Sequence, residues 1–271
     1  MPTNALFGRY WEADSPIHRL DPRTKIVGTI LLVASVFCAG NYAALALVAL
    51  FTIGMFALAR IPFVQALRSI VPLTFIIVLT ALFNLFYVQG GTVYFEWGFI
   101  CISHEGVRQA LFMAARLTLL LLSGSLLTLT TTSLDITEAL ERLLSPFARI
   151  GVPIHEFSLV MGIALRFLPQ FVDEFQTIRA AQLARGAKLA TSPVKGGLSG
   201  LTSLLVPLFA SAFRHADTLS SAMDARCYHG AIGRTRLNPL RYSRDDLLAI
   251  SVLVALLAAC IILSLVFRTP A

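Results

Sequence analysis

Apolar residues gather in long unbroken runs over the first half of the chain and again from residue 247 onward. The runs cover 26–39, 42–58, 70–88, 107–129 and 247–267. Within each the apolar positions are continuous rather than alternating, which predicts helices and not strands. Their lengths are close to the roughly 17–25 residues a helix needs to cross a hydrocarbon core. A helix also satisfies its own backbone in lipid. The first two runs are short, so snorkelling flanks or local thinning of the bilayer must make up the difference. Asp21-Pro22 opens the first helix, since the carboxylate accepts free N–H groups and proline suits the first turn. Gly40-Asn41 turns the chain back. After the third run comes a loop with Gly90-Gly91 and the β-prone Thr92-Val93-Tyr94-Phe95, where Tyr94 and Trp97 suit an interface.

The pattern changes at Thr130. A polar stretch, Thr130 to Ser133, leads into Asp135, Glu138, Glu141 and Arg142, with Ser133 or Asp135 as the cap of a short segment ending near Gly151-Val152-Pro153. Two long helical patterns follow, over 154–186 and 198–227. On the first, Leu168, Phe171, Phe175 and Ile178 form an apolar stripe that passes Gln182 and reaches Arg185. On the second, Leu201, Leu205, Leu208, Ala212, Leu219 and Met223 lead to Arg226. Pro169 and Pro207 are predicted to kink them. Arg214, His215 and Asp217 keep the second from being a lipid-facing span. Residues 187–197 read as a loop and 228–246 as a basic loop. The predicted organisation is 1–129 for four transmembrane helices, 130–246 for a cytoplasmic domain of long helices, and 247–271 for a final transmembrane helix.

Composition agrees. The 271 residues are 56% hydrophobic and 14% charged, against about a quarter charged in a soluble domain. The net charge of +7 is explained by arginine and lysine held on the inner side of a membrane. No nucleic-acid motif accompanies it, so nucleic acid is not an expected partner. By the same rule the N-terminus and 130–246 lie inside, and about five crossings place the C-terminus outside. Residues 1–25 lack the short apolar core of a removable leader. The cysteines Cys38, Cys101, Cys227 and Cys260 have no metal-ligand spacing and form no disulfide framework.

Catalytic chemistry is missing from the sequence. There is no Gly-x-x-x-x-Gly-Lys-Ser/Thr loop for ATP, no His-Glu-x-x-His, and no carboxylate pair or Ser/His/Asp set. No catalytic residue, metal or cofactor is expected. His215 and His229 read as isolated, solvated or interfacial groups. Arg116, inside the fourth run, either marks a functional site or pairs within the bundle to fix packing. Two matching stretches stand out, Ala184-Arg185-Gly186 and Ala225-Arg226-Cys227. Arginine offers a rigid fork of donors that binds carboxylates bidentately, and small neighbours let a partner approach. The two arginines are either ordinary inner-side charges near helix ends or docking points.

These stretches resemble signatures of the transmembrane T components of energy-coupling factor transporters, the EcfT/CbiQ family. The resemblance covers nearly the whole chain. It is carried by His18-Arg19-Leu20-Asp21-Pro22-Arg23-Thr24-Lys25, by Leu140 to Pro153 with Glu156 and Ala164-Leu165-Arg166-Phe167-Leu168-Pro169, and above all by Ala181-Gln182-x-Ala184-Arg185-Gly186 and Ala222-Met223-Asp224-Ala225-Arg226. Both family signatures read Ala-Arg-Gly. Here the second reads Ala-Arg-Cys.

The resemblance implies an all-α integral membrane protein in the plasma membrane of a prokaryote, with long crossing coupling helices. It implies a non-catalytic scaffold between two cytoplasmic ABC ATPases, an EcfA-type pair, and a substrate-binding S component. The arginine motifs would each dock on one ATPase, which would hold ATP and Mg. The stripe Leu168, Phe171, Phe175, Leu205, Leu208, Leu219 and Met223 would serve where the coupling helices meet each other and the S component. The cargo would be a vitamin or a transition-metal ion. A self-contained permease or channel and a membrane enzyme are the alternatives. Sparse intramembrane charge and no evident inverted repeat oppose the first, and the missing catalytic set opposes the second.

Overall fold

The computed structural model describes residues 10–11, 13–88, 90, 92–97, 100–151, 153–186, 197–230 and 242–266. They form two compact units, Met1–Ala139 with Pro239–Ala271, and Leu140–Asn238. In the first unit α1 (Pro22–Cys38) and α2 (Tyr42–Leu58) are followed by α3 (Phe63–Ile70), a 3-10 turn (Val71–Leu73) and α4 (Thr74–Tyr87). A hairpin comes next, β1 (Val93–Trp97) antiparallel to β2 (Ile100–Ser103), with Trp97 opposite Ile100. Then come α5 (His104–Thr130) and α6 (Ser133–Leu144). A 3-10 stretch (Ser145–Ile150), α7 (Ile154–Ala184) and α8 (Gly197–Ala225) carry the chain through the second unit, and α9 (Arg244–Val266) returns to the first.

Among the described residues three stretches are long and apolar enough to cross a membrane: Val64–Tyr87, His104–Thr130 and Arg244–Val266. The helices α1 and α2, at 17 residues each, are shorter but packed among them. The buried core is theirs in common: Leu32 and Val36 of α1, Val48 and Phe56 of α2, Leu119, Leu122 and Leu126 of α5, Leu253 and Leu256 of α9. Helix α4 has no fully buried residue, packs Ile77 against the core and exposes Phe75 and Phe83, as a helix with one face on α5 and the rest toward lipid should. The third span starts earlier than the apolar run suggests. Pro72 has no N–H to give, so the helix passes it through a 3-10 turn and has already begun at Phe63. The first helix lies so close to the last that a Cβ on Gly28 would stand 2.9 Å from Leu253 Cδ1.

Arg116 takes the packing role. Its Nη2 donates to the carbonyls of Ala39, at 2.5 Å, and Phe37, and its guanidinium lies 4.9 Å from the Phe112 ring centre. The last carbonyls of α1 have no partner within their own helix, and the cation also complements the negative end of the helix dipole.

A polar cluster holds the start of α1. Asp21 Oδ1 accepts the Arg23 N–H at 2.9 Å, so the predicted cap forms. His18 Nε2 donates to the Trp11 carbonyl at 3.0 Å while Nδ1 meets Ser15 Oγ at 2.7 Å. Burial lowers the imidazole pKa, and the Trp11 carbonyl acts in the opposite sense. The short segment after α5 is capped by Thr132, whose Oγ1 accepts the Asp135 N–H at 3.2 Å, rather than by Ser133 or Asp135.

Candidate functional site

The second unit is built on the pairing of α7 with α8. Gln182 Nε2 donates to the Ser203 carbonyl at 3.2 Å. Nearer the start of α7, Gln170 Nε2 meets His215 Nε2 at 3.3 Å, and Glu174 Oε2 lies 3.5 Å from the same nitrogen. The imidazole also packs against Phe167 and Phe171, with ring centres 6.1 and 6.0 Å away. Ser211, between these contacts on α8, is buried and small enough for close approach. As numbering rises along α7 it falls along α8, so the helices are antiparallel. Arg185 therefore lies at one end of the pair and Arg226 at the other. From Ser203 to Arg226, α8 spans about 35 Å at 1.5 Å per residue. Both helices run on through their prolines, Pro169 and Pro207.

At both ends a residue in the left-handed region follows the arginine. Arg185 is the C-cap of α7, with φ −81° and its N–H on the Ala181 carbonyl at 3.1 Å. Gly186 follows in the left-handed region at φ +77°, and its N–H bonds the Leu183 carbonyl at 3.0 Å. At the other end Cys227 takes the glycine's place at φ +55°. Its N–H bonds the Asp224 carbonyl at 2.9 Å, and the Tyr228 N–H reaches back to the Met223 carbonyl at 3.1 Å. This pair of bonds is a Schellman ending. It stops the helix at the residue that carries the guanidinium and turns the chain away from it. Both arginines are exposed, and among the described residues neither forms an ion pair. Exposed Ala184 and Ala225 stand beside them. Such tips can bind a carboxylate or a row of carbonyls on another protein. Among the described residues no group of three metal-ligating side chains is assembled.

The remaining predicted positions divide between two settings. Leu168 and Phe175 are exposed on α7. Phe171, Leu205, Leu208, Leu219 and Met223 are half-buried. His215 is not isolated, because the pairing of two distant helices brings Glu174 and Gln170 to it. His229 is exposed. Asp246 is the residue that sequence reading passed over. It was placed in a basic loop, yet it is 2% exposed in the first turn of α9 and accepts N–H bonds from Asp21 at 2.8 Å and Ser243 at 2.7 Å. The signal was present: Ser243-Arg244-Asp245-Asp246 before an apolar run is a capping box. Most of the basic loop, 231–241, and all of the predicted loop 187–197 but Gly197, which begins α8, lie outside the described residues.

Cys227 yields a prediction at this point. A side chain in the left-handed region costs about 1 kcal/mol relative to glycine, offset in part by glycine's looser unfolded chain. Cys227→Gly is expected to leave function intact and to hold or slightly raise thermal stability. A large loss of function in that variant would assign the thiol a role of its own.

Membrane-spanning helices joined to a helical pair tipped by arginines define a polytopic helical membrane protein with a second helical unit. The family described as CbiQ, cobalt transport protein, matches residues 13–237. Curated relatives named energy-coupling factor transporter transmembrane protein EcfT match over most of the chain. That of Brevibacillus brevis is 43% identical over 92% of this chain and 95% of its own length. That of Ruminiclostridium cellulolyticum is 41% identical over 98% and 100%, and that of Thermosediminibacter oceani 45% over 89% and 91%. The chain belongs to the EcfT/CbiQ family, the transmembrane components of energy-coupling factor transporters.

Proposed function

We propose that the chain is the non-catalytic coupling subunit of an importer. It would link two cytoplasmic ATPases, which hold the ATP and Mg, to a substrate-binding membrane subunit that takes up a vitamin or a transition-metal ion. The observation that carries this reading is the pair of matching arginine caps at opposite ends of one antiparallel helix pair. One partner cannot easily cover both tips, whereas two similar partners can take one each. Movement of the partners then displaces α7 and α8 together, since Gln170, Gln182 and Glu174 tie the helices to each other. The exposed apolar positions Leu168 and Phe175 suit a further subunit. The names of the relatives agree with membership of such an assembly.

In this reading the protein lies in the plasma membrane of a prokaryote with its N-terminus and second unit inside and its C-terminus outside. The test is copurification from native membranes through a tag on this chain. Two ATPase chains and a small membrane protein should come with it, and the purified complex should hydrolyse ATP. Recovery of the chain alone, in a form that transports unaided, would establish a self-contained permease instead.

A further inference from the structure

The chain leaves the first unit beyond Ala139 and re-enters it at Pro239. Both passages are tied to one short stretch, Asp21–Lys25. On the outward side, Lys25 Nζ donates to the Thr130 carbonyl at 3.1 Å, on the last residue of α5. On the returning side, Asp246 at the start of α9 accepts the Asp21 N–H, and the Arg23 guanidinium lies over the Tyr242 ring at 5.2 Å. Forming α1 requires neither contact, because the Asp21 side chain already caps it.

We infer that Asp21–Lys25 is the junction through which displacement of the second unit reaches the transmembrane helices, with Arg23 and Tyr242 positioning the start of α9. The inference rests on the coupling role proposed above. A connector passes on a displacement only where its ends are held, and a slack end absorbs it. The outward end is held by a lysine on backbone oxygen. The returning end is held at Tyr242 and Ser243, immediately before α9. The grip on Tyr242 is specific. Arg23 is only 12% exposed in its side chain, and among the described residues its Nε and Nη2 are buried without a hydrogen-bond partner. What engages it is the ring face and the Asp21 carboxylate, 3.8 Å away. A cation held against a ring away from water is bound more firmly than one at an open surface. Lysine would keep the charge but lose the flat contact.

The experiment is hydrogen–deuterium exchange on the assembled complex, with and without ATP and vanadate, for the parent, Arg23→Lys and Tyr242→Ala. Tyr242 is 63% exposed, so its removal does not threaten folding. In the parent, nucleotide should alter exchange at the ends of α7 and α8 and at the first turn of α9. In both variants the ATPases should still copurify and the ends of α7 and α8 should still respond. The response of α9 should fall about tenfold, inside the range that couplings between sites span. An undiminished α9 response in both variants overturns the junction and leaves the docking role standing. Loss of the ATPases from either variant also overturns it, because the stretch would then act in assembly. A parent whose α7 and α8 ends ignore nucleotide refutes the coupling role itself, and the junction falls with it.

Discussion

A variant carrying both Arg185→Ala and Arg226→Ala is expected to reach the membrane, lose its ATPases on purification and take up no substrate. Folding should survive, because both side chains are exposed and among the described residues bind nothing within the chain. Docking should not. Removing one member of a buried, hydrogen-bonded charge pair costs about 2–5 kcal/mol, largely through the partner group left without its ion. That is roughly a 30- to several-thousand-fold loss of affinity at each end. The tips are at opposite ends of the helix pair and share no contacts, so the two losses should add. Each single variant should therefore weaken assembly, and the double variant should abolish it. Lysine should rescue poorly, since it supplies the charge without the fork. The measurement is ATPase copurification, together with ATP-driven uptake of whatever substrate the copurifying membrane subunit binds. A double variant that assembles and couples like the parent would falsify the docking role.

Asp246→Ala is expected to lower stability more than any substitution at the arginine tips. Its carboxylate is buried and accepts two backbone N–H groups, those of Asp21 and Ser243. Alanine leaves both donors without an acceptor, at about 1–3 kcal/mol each. It also removes a negative charge from the first turn of α9, where the helix dipole favours one. Asp246→Asn keeps one carbonyl oxygen and should fall between the two. Thermal melting of the purified protein in detergent reads the difference. If Asp246→Ala melts with the parent, the Asp21–Asp246 tie between the starts of α1 and α9 contributes little.

The apolar helices could be read from the chain, though not the early start of the third at Phe63, because lipid imposes one local rule: an unbroken apolar run must form a helix to satisfy its backbone. The two long helices and their arginine ends were equally readable, since a stripe at helical spacing and the residue that ends it are both properties of a single segment. Interactions between segments were not. Nothing near His215 points to Glu174 or Gln170, which only the antiparallel pairing of α7 and α8 brings to it. Arg116 was visible as a charge at membrane depth, but the bonds to the last carbonyls of α1 depend on where α5 passes that helix. Asp246 looked like one more loop charge and proved to be buried, because its second partner, Asp21, is 225 positions away. Cys227 could be compared with Gly186 by alignment of the two motifs. That it takes up the glycine's left-handed conformation is settled by the bonds that close the end of α8, which hold whichever side chain stands there.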